Sequence, residues 1–340
     1  MIKQNKKVLI IRCGLLGDTI DATSVIQPLI ELYGPEVEIH WVSKPGICEL
    51  FKYDNRVKKV YELKHTKLPF LFNIPKFKII LNSLINPYEL IINLEIGSKF
   101  NDIVKLSRSK NKLGMPFDYI KDDIFKEHRV EHQLRILDKF SKKYNKEKAQ
   151  PSIVGIKSED AQKKFPLQDN YIVMCPTNSH IGNNNHRGYR SWPSHNWKEL
   201  IEKVLSETQF NIILVGNKDE KKYFNIFYPL KERVYDLSGK TSIPELIAIM
   251  RNSECVVATD SGSAHIAGAV SKNIISIHGP TNFYQSAPYS TINNNVKIAT
   301  LNLKCSPCYD TEAIKSCKKN ICMQDLGSDK IMKLITDLSL

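Results

Sequence analysis

The chain has 340 residues, of which 42% are hydrophobic and 25% are charged. This length exceeds the ~100–200 residues of one domain, and the globular composition excludes extensive disorder and collagen-like structure. No apolar run approaches the ~18–20 residues of a membrane-spanning helix. The first apolar run, residues 8–11, is too short for a signal peptide and ends at Arg12. We therefore expect two domains in a cytoplasmic protein.

Short apolar runs alternate with helical patterns from Val8 to Phe140. Continuous apolar runs are typical of buried parallel strands, whereas the helical patterns repeat an apolar residue every three or four positions. Residues 141–151 are polar and charged and end in a proline, which is typical of a linker. We predict strands over residues 8–12, 37–42 and 90–94, and helices over residues 20–32 and 130–140.

The same alternation restarts after the linker. Strands that alternate with helices form parallel sheets with helices on their faces. The predicted fold class is therefore α/β, with two Rossmann-like doubly wound domains, residues 1–150 and 151–340, facing each other across a cleft. In the second domain we predict strands over residues 171–175, 211–215, 255–258 and 273–277, and helices over residues 197–205, 243–250 and 264–270.

Basic residues are concentrated in the first domain. Residues 1–150 hold 27 lysines and arginines against 18 aspartates and glutamates, a net charge of +9, and the whole chain has a net charge of +13. The densest stretch, residues 52–78, has eight basic and two acidic residues among aromatic and aliphatic ones. Such a stretch suits an anionic membrane surface or a phosphorylated lipid, and a solvated loop is the alternative. We expect this domain to attract an anionic partner.

Half of the eight cysteines lie close together near the C-terminus: Cys305, Cys308, Cys317 and Cys322. In a reducing compartment, four thiolates in one short segment favour a closed metal site, and zinc and iron both accept sulfur ligands. We predict a structural zinc or iron here, with free thiols or disulfides as the alternative. We interpret the remaining four as small hydrophobic residues of the interior: Cys13, Cys48, Cys175 and Cys255.

A glycine-containing loop joins the first predicted strand to the following helix, and residues 12–18 read Arg-Cys-Gly-Leu-Leu-Gly-Asp. Gly14 and Gly17 let the backbone approach a ligand closely, and the helix N-terminus offers free amides. Asp18 is the one carboxylate of this loop. It could act as a general base, and a helix N-terminal cap is the alternative.

A second loop of small residues follows the strand predicted over residues 255–258, and residues 259–265 read Thr-Asp-Ser-Gly-Ser-Ala-His. Ligands of open α/β sheets bind at this edge, where small residues and a helix N-terminus suit a diphosphate. Asp260 could bind ribose or sugar hydroxyls, and His265 lies in the first helical turn. Helix capping is again the alternative.

Two further loops carry weaker signals. Arg190, which precedes Ser-Trp-Pro, could neutralise a phosphate. Lys240 and Thr241 end a Leu-Ser-Gly-Lys-Thr loop that could hold a nucleoside, and an ordinary surface turn is the alternative. The sequence has no Asp-x-Asp segment, which a metal-dependent nucleotide-sugar transferase usually carries.

Taken in this order, the motifs resemble the heptosyltransferase family, glycosyltransferase family 9. The similarity runs over nearly the whole chain and is most specific at the Asp-Ser-Gly-x-x-His segment that begins at Asp260 and at the Gly-Pro-Thr of residues 279–281. The C-terminal cysteines also resemble members of the family, including a group that heptosylates autotransporter proteins and binds iron through four cysteines. The resemblance implies a GT-B fold and an inverting transfer of heptose, typically from ADP-heptose, without a catalytic metal.

The resemblance also implies roles for single residues. Asp18 matches the family's proposed base, with Gly14 and Gly17 in its loop, and Glu95 lies where relatives often have glutamine or histidine near the acceptor. Arg190 stands where the family has a lysine, which keeps the charge but changes the contact geometry. The implied donor-binding residues are Arg190, Lys240, Thr241, Asp260, Ser261, Gly262 and His265.

The basic stretch favours an acceptor hydroxyl on a phosphorylated, membrane-embedded lipopolysaccharide inner core, reached from the inner face of the inner membrane. The cysteine cluster supports a protein hydroxyl of an autotransporter as the alternative acceptor, and another nucleotide-sugar is an alternative donor. Two other classes are a nucleic-acid-binding protein and a GT-B-like sugar-nucleotide epimerase. The first is disfavoured because no basic-aromatic motif surrounds the cysteines. The second would act on the donor alone.

Overall fold

The computed structural model describes residues 6–64, 73–117, 127–182, 186–309 and 311–338. The chain divides into two units, residues 1–154 and 155–340. Among the described residues, each unit contains one sheet, and the strand pairings in both sheets are parallel. In the described part of the chain, no helix is both long and apolar enough to cross a membrane.

Unit 1 contains a five-stranded sheet. Its strands are β1 (Lys7–Ile11), β2 (Glu38–Ser43), β3 (Val57–Glu62), β4 (Tyr88–Asn93) and β5 (Ser109–Gly114). Their spatial order is β3-β2-β1-β4-β5. The described α-helices are α1 (Leu16–Ala22), α2 (Ile26–Tyr33), α3 (Ile74–Ile85), α4 (Asn101–Leu106) and α5 (Arg129–Asp138).

Unit 2 contains a six-stranded sheet. Its strands are β6 (Tyr171–Cys175), β7 (Asn211–Leu214), β8 (Val234–Asp236), β9 (Cys255–Thr259), β10 (Asn273–Ile277) and β11 (Asn295–Ala299). Their order is β11-β10-β9-β6-β7-β8. The described α-helices are α6 (Ser158–Lys164), α7 (Ser194–Glu207), α8 (Ile243–Arg251), α9 (Gly262–Val270), α10 (Phe283–Ser286), α11 (Ile321–Gln324) and α12 (Ser328–Thr336).

The strand order reverses once in each sheet. In unit 1 the chain runs outward from β1 to β3 on one side and then returns to β4 on the other side of β1. In unit 2 it runs outward from β6 to β8 and returns to β9 beside β6. Loops after the two central strands diverge at such a point and leave a crevice at the carboxyl edge of the sheet, which is where open α/β sheets bind ligands.

The structure confirms the predicted alternation and all of the predicted central strands. Strands β6 and β10 have the predicted bounds, because both are wholly buried apolar runs. The edge strands β3, β5, β8 and β11 were not predicted. Edge strands face solvent along one side and tolerate polar residues, so their sequences lack a continuous apolar run. The helix predicted over residues 20–32 is two helices, α1 and α2, joined by a 3-10 turn at Thr23–Val25.

The basic stretch of residues 52–78 is not one solvated loop. It contains β3 and the start of α3, while residues 65–72 lie outside the described residues. Two of its cations serve the fold. Arg56 pairs with Asp54 at 2.6 Å and donates to the carbonyl of Ser152. Lys76, only 2% exposed, pairs with Asp102 at 2.7 Å.

Candidate active site

The candidate site of unit 1 lies at the reversal between β1 and β4. The loop after β1 carries Arg12 and leads into α1, and the loop after β4 carries Glu95. Because β1 and β4 are parallel neighbours, these two loops leave the sheet side by side. The strand order therefore brings together residues that lie far apart in the sequence.

Asp18 is held by two guanidinium groups and one backbone amide. Its Oδ1 lies 3.1 Å from Nη2 of Arg12 and 3.1 Å from Nη1 of Arg129, the first residue of α5. Its Oδ2 accepts the N–H of Leu15 at 3.1 Å, so Asp18 caps α1 from the third helical position. The side chain remains about a fifth exposed. Asp18 therefore serves as a cap and also presents a fixed carboxylate to solvent.

Arg12 links Asp18 to Glu95. The Arg12 side chain is buried, and its Nη1 donates to the carbonyl of Leu94 at 2.7 Å. The same nitrogen lies 3.9 Å from Oε1 of Glu95, which also accepts the N–H of Cys13. Glu95 is thus tied to the β1 loop by hydrogen bonds and charge. The sequence motif included Arg12, but no signal in the sequence indicated that it bridges the two carboxylates.

Gly14 is required by the position of Asp18. A Cβ added at Gly14 would lie 2.7 Å from the Asp18 Cβ and 2.9 Å from its Oδ2. Gly17 lies in the first turn of α1 and is buried. Both glycines therefore support the loop geometry, and Gly14 does so by leaving room for the carboxylate.

The candidate site of unit 2 lies at the reversal between β6 and β9, where Asp260 follows β9. Its Oδ1 lies 3.0 Å from Nη2 of Arg190, which also donates to the Asp260 carbonyl. The Arg190 guanidinium stacks over the ring of Tyr309 at 5.5 Å. Burial opposes the charge of Asp260, but Arg190, two histidines and Thr281 outweigh it, so the pKa of this carboxyl is lowered. The partly exposed Arg190 and the buried Asp260 form an ion pair that the separated sequence motifs did not predict.

The N-terminus of α9 begins directly after this pair. Ser261 occupies the N-cap position, but its side chain makes no capping hydrogen bond. Its Oγ is buried and has no partner among the described residues. The first amides of a helix also lack partners within the helix, and together these groups suit a phosphate oxygen. Gly262 opens the helix, and His265 is buried on its first turns.

His278 is linked to Asp260 by hydrogen bonds through Thr281. Its Nε2 lies 2.9 Å from Oγ of Ser276, and its Nδ1 lies 3.2 Å from Oγ1 of Thr281, whose side chain bonds to Asp260. Burial lowers the pKa of His278 to about 4, and Arg190 and His265 act in the same direction against Asp260. A neutral imidazole that donates from Nδ1 and accepts at Nε2 satisfies the whole chain of bonds. His278 was not predicted from the sequence, since a histidine beside a Gly-Pro turn carries no specific signal.

Lys240 and Thr241 lie on the same carboxyl edge but away from Asp260. They follow β8, which is separated from β9 by β7 and β6. At ~4.8 Å between neighbouring strands, the two loops lie about 14 Å apart. Lys240 is exposed, and its Nζ donates to the carbonyl of Asp236 at 2.6 Å. The two loops could contact opposite ends of an extended ligand, and they do not form one cluster.

The segment that holds the four C-terminal cysteines packs against the loops that carry Tyr189 and Pro280. The amides of Cys308 and Tyr309 both donate to the Pro280 carbonyl at 2.8 Å, and the hydroxyl of Tyr189 donates to the Cys317 carbonyl at 3.0 Å. The pKa of the Cys322 thiol is raised to about 12, first by burial and then by the other three thiols of the cluster. Within the described ranges, no three histidine, cysteine, aspartate or glutamate side chains converge closely enough to hold a metal ion. The side chains as placed therefore do not form the predicted metal site.

Comparison with known proteins identifies the family. The sequence model of glycosyltransferase family 9 (heptosyltransferase) matches residues 104–319, more than half of the chain. The chain is 25% identical to lipooligosaccharide heptosyltransferase 2 of Campylobacter jejuni, over 78% of this chain and 83% of that one. It is 23% identical to lipopolysaccharide heptosyltransferase 1 of Campylobacter coli, over 98% of both chains.

A solved structure shows the same fold. Escherichia coli heptosyltransferase WaaC, solved with ADP-2-deoxy-2-fluoro heptose, superposes with a TM-score of 0.69 at 17% identity, over 97% of this chain and 99% of that one. The two parallel-sheet units with their reversed strand orders thus have the GT-B fold that the motifs predicted. The chain belongs to glycosyltransferase family 9, the heptosyltransferases, and is a glycosyltransferase.

Proposed function

We propose that this protein transfers a heptose from ADP-heptose to a hydroxyl of a lipopolysaccharide inner-core acceptor, with inversion at the anomeric carbon. The proposal rests on the unit 2 site. There the α9 N-terminus and the Ser261 hydroxyl, which has no partner among the described residues, lie beside the Arg190–Asp260 ion pair. Such a set of groups suits a sugar diphosphate. The names of the Campylobacter relatives and the donor analogue bound to WaaC support the sugar and the acceptor class.

In this mechanism unit 2 binds the donor and stabilises the leaving group. The α9 amides and Ser261 hold the diphosphate, and Arg190 lies beside it. Asp260 accepts hydrogen bonds from the sugar hydroxyls. When the bond between the anomeric carbon and the phosphate oxygen breaks, its electron pair leaves with ADP. Preorganised donors at this position stabilise the developing charge more than water can.

Unit 1 binds the acceptor and removes its proton. The acceptor hydroxyl attacks the anomeric carbon from the face opposite the diphosphate, and its proton passes to the Asp18 carboxylate. Arg12 and Arg129 fix the orientation of that carboxylate. Arg129, with a third of its side chain exposed, could also meet an anionic group of the acceptor. Because this acceptor is embedded in a membrane, we place the enzyme on the cytoplasmic side, at the inner face of the inner membrane.

The donor can be identified by thermal unfolding with a panel of nucleotide-sugars. At ~100 times the dissociation constant a ligand adds about 2.7 kcal/mol of stability. We expect this shift with ADP-heptose and a smaller one in Ser261→Ala, because the variant lacks a hydroxyl that would donate to the diphosphate. The fold itself loses no hydrogen bond, since this hydroxyl has no partner within the described protein. The matched control is Ser328→Ala. Ser328 also lies at the start of a helix, and its buried hydroxyl also has no partner among the described residues. A shift with a different nucleotide-sugar only would overturn the heptose assignment.

The acceptor is tested by transfer of labelled heptose. We expect label in a lipopolysaccharide inner core that lacks this heptose. Label found in an autotransporter protein instead would replace the proposal by protein O-heptosylation. Conversion of the donor in the absence of any acceptor would indicate an epimerase.

The position of Asp18 can be tested from the neighbouring glycine. Gly14→Ala forces the Asp18 side chain to move, since the added Cβ would lie 2.7 Å from the Asp18 Cβ. A displacement of about 1 Å in a catalytic group can cost 10²-fold in rate, and we expect a loss of that order in steady-state transfer. Gly327→Ala is the control, because its added Cβ meets nothing within 4 Å and its φ is −72°. An unchanged rate in Gly14→Ala would mean that catalysis does not depend on this carboxylate.

A structural zinc or iron at Cys305, Cys308, Cys317 and Cys322 stays a prediction. The set of four sulfur ligands suits either metal, although the side chains as placed in the described segment do not converge. Metal analysis of the protein purified under reducing conditions tests it. About one equivalent of metal that is lost in Cys308→Ser would support the site, and metal-free protein would contradict it.

A further inference from the structure

Helix α3 exposes an apolar face to solvent. Five large apolar side chains on it are 40% to 72% exposed: Ile74, Phe77, Leu81, Leu84 and Ile85. At 100° per residue they fall within an arc of about 100°, as wide as the stripe that a helix usually buries in a core. We call these five residues the α3 face. Scattered exposed apolar residues are ordinary, but a continuous stripe of this kind marks an interaction surface.

The opposite side of α3 is the side that packs against unit 1, and it is the more polar of the two. It buries Lys76, Ile79, Ile80 and Ser83. Lys76 reaches Asp102 of α4, and the Ser83 hydroxyl accepts the N–H of Arg108 at 2.9 Å. The helix therefore turns a mixed polar and apolar side towards the fold and leaves its wholly apolar stripe in water.

Exposed cations lie on α3 and on the neighbouring segment that packs against its buried side. Lys78 is exposed on α3 itself, and Lys105 and Arg108 are exposed on the segment that packs beside α3, next to the exposed Leu106. Among the described residues, none of these three cations has an acidic partner. Two acidic residues of this region are already paired, Asp102 with Lys76 and Glu89 with Lys110. The region of α3 thus carries positive charge that the described acidic residues do not compensate, and Lys78 lies directly beside the α3 face.

We propose that the α3 face docks onto an anionic phospholipid bilayer, with the helix lying in the interfacial plane. Apolar residues flanked by lysine and arginine are the composition of interfacial helices. The 12-residue helix is about 18 Å long, too short to cross a core of about 30 Å. A second copy of the chain fits less well, because pairing two such faces would bring like charges together. The inference deepens the proposed function, on which it rests for the membrane location of the acceptor.

The test is co-sedimentation with vesicles that mix phosphatidylethanolamine and the anionic phosphatidylglycerol in a three-to-one ratio. We expect binding that weakens at high salt and on pure phosphatidylcholine. The double variant Leu81→Asn/Ile85→Asn should bind at least tenfold more weakly, and Lys78→Gln about fivefold. Exposed controls in unit 2 are Ile292→Asn, at 83%, and Lys315→Gln, at 66%. Thermal unfolding checks that every variant remains folded.

Three results would overturn the docking inference: no binding by the wild type, equal binding by the double variant, or a wild-type dimer that the double variant abolishes. Heptose transfer to a detergent-solubilised acceptor separates the docking inference from the proposed function. The double variant should match the wild type in that assay and lose rate only on vesicle-embedded acceptor. Transfer without vesicle binding would contradict only the docking inference. Vesicle binding without any transfer would contradict only the proposed function.

Discussion

Asp18→Asn should lower the rate of heptose transfer by about 10²- to 10⁴-fold while leaving donor binding intact. A positioned general base contributes a factor of that size, and an amide cannot take the proton of the acceptor hydroxyl. The asparagine oxygen can still accept the Leu15 N–H that caps α1. The substitution therefore removes the base and keeps the cap. Single-turnover transfer and donor affinity by calorimetry are the two measurements.

A matched control exists at the same helical position in unit 2. Glu245 is the third residue of α8, where it accepts the Ser242 N–H in a capping box and pairs with Lys164. Glu245→Gln removes one charge from an equivalent cap and should leave the transfer rate unchanged. If Asp18→Asn loses donor affinity, or if its rate matches that of Glu245→Gln, Asp18 is a structural cap and another group is the base.

Unit 2 should lose about 3 kcal/mol of stability between pH 6.5 and pH 4 through His278. The folded state holds the pKa of His278 at about 4, against an ordinary value of 6.5. Between these values the unfolded chain binds a proton that the folded chain does not, so stability is complete above pH 6.5 and falls as the pH falls. Asp260, whose pKa is lowered, adds a loss only below its ordinary value of 3.8.

Urea unfolding across this pH range measures the effect. In a Trp41→Phe background, the two remaining tryptophans of the chain, Trp192 and Trp197, both lie in the unit 2 core and report on that unit alone. His278→Gln cannot gain the proton, so its stability should change little between pH 6.5 and pH 4, although it will be lower than the wild type at neutral pH. A wild-type curve that is flat over the same range would contradict the buried neutral imidazole.

The central strands could be predicted because a buried parallel strand is a continuous apolar run whatever its neighbours are. Strand β9, with Asp260 after it, was recognisable from residues 255–258 alone. The edge strands β3 and β11 could not be recognised in this way. Two lysines in β3 and one in β11 interrupt the apolar pattern, and only pairing with the neighbouring strand identifies each as part of the sheet.

The residues of the candidate site also differ in whether the sequence could reveal them. Asp18, Asp260 and Ser261 were recognisable because each lies in the loop or turn that follows an apolar run, where a parallel strand must end. Arg129 and His278 belong to no motif, yet one contacts Asp18 and the other supports Asp260 through Thr281. Their roles depend on which helix packs beside which loop, and local periodicity holds no information about that.

Local patterns of apolar, small and charged residues were enough to establish the two α/β halves, the family resemblance and the loops that hold the candidate site residues. Which charges meet depends instead on packing between distant segments. Arg190 reaches Asp260 across 70 residues, and Arg12 lies between the carboxylates of Asp18 and Glu95. The α3 face could not be predicted from the sequence for the same reason. A helix with large apolar residues on both sides does not reveal which side the fold will bury, and here Lys76 and Ser83 lie inward while the apolar stripe stays in solvent.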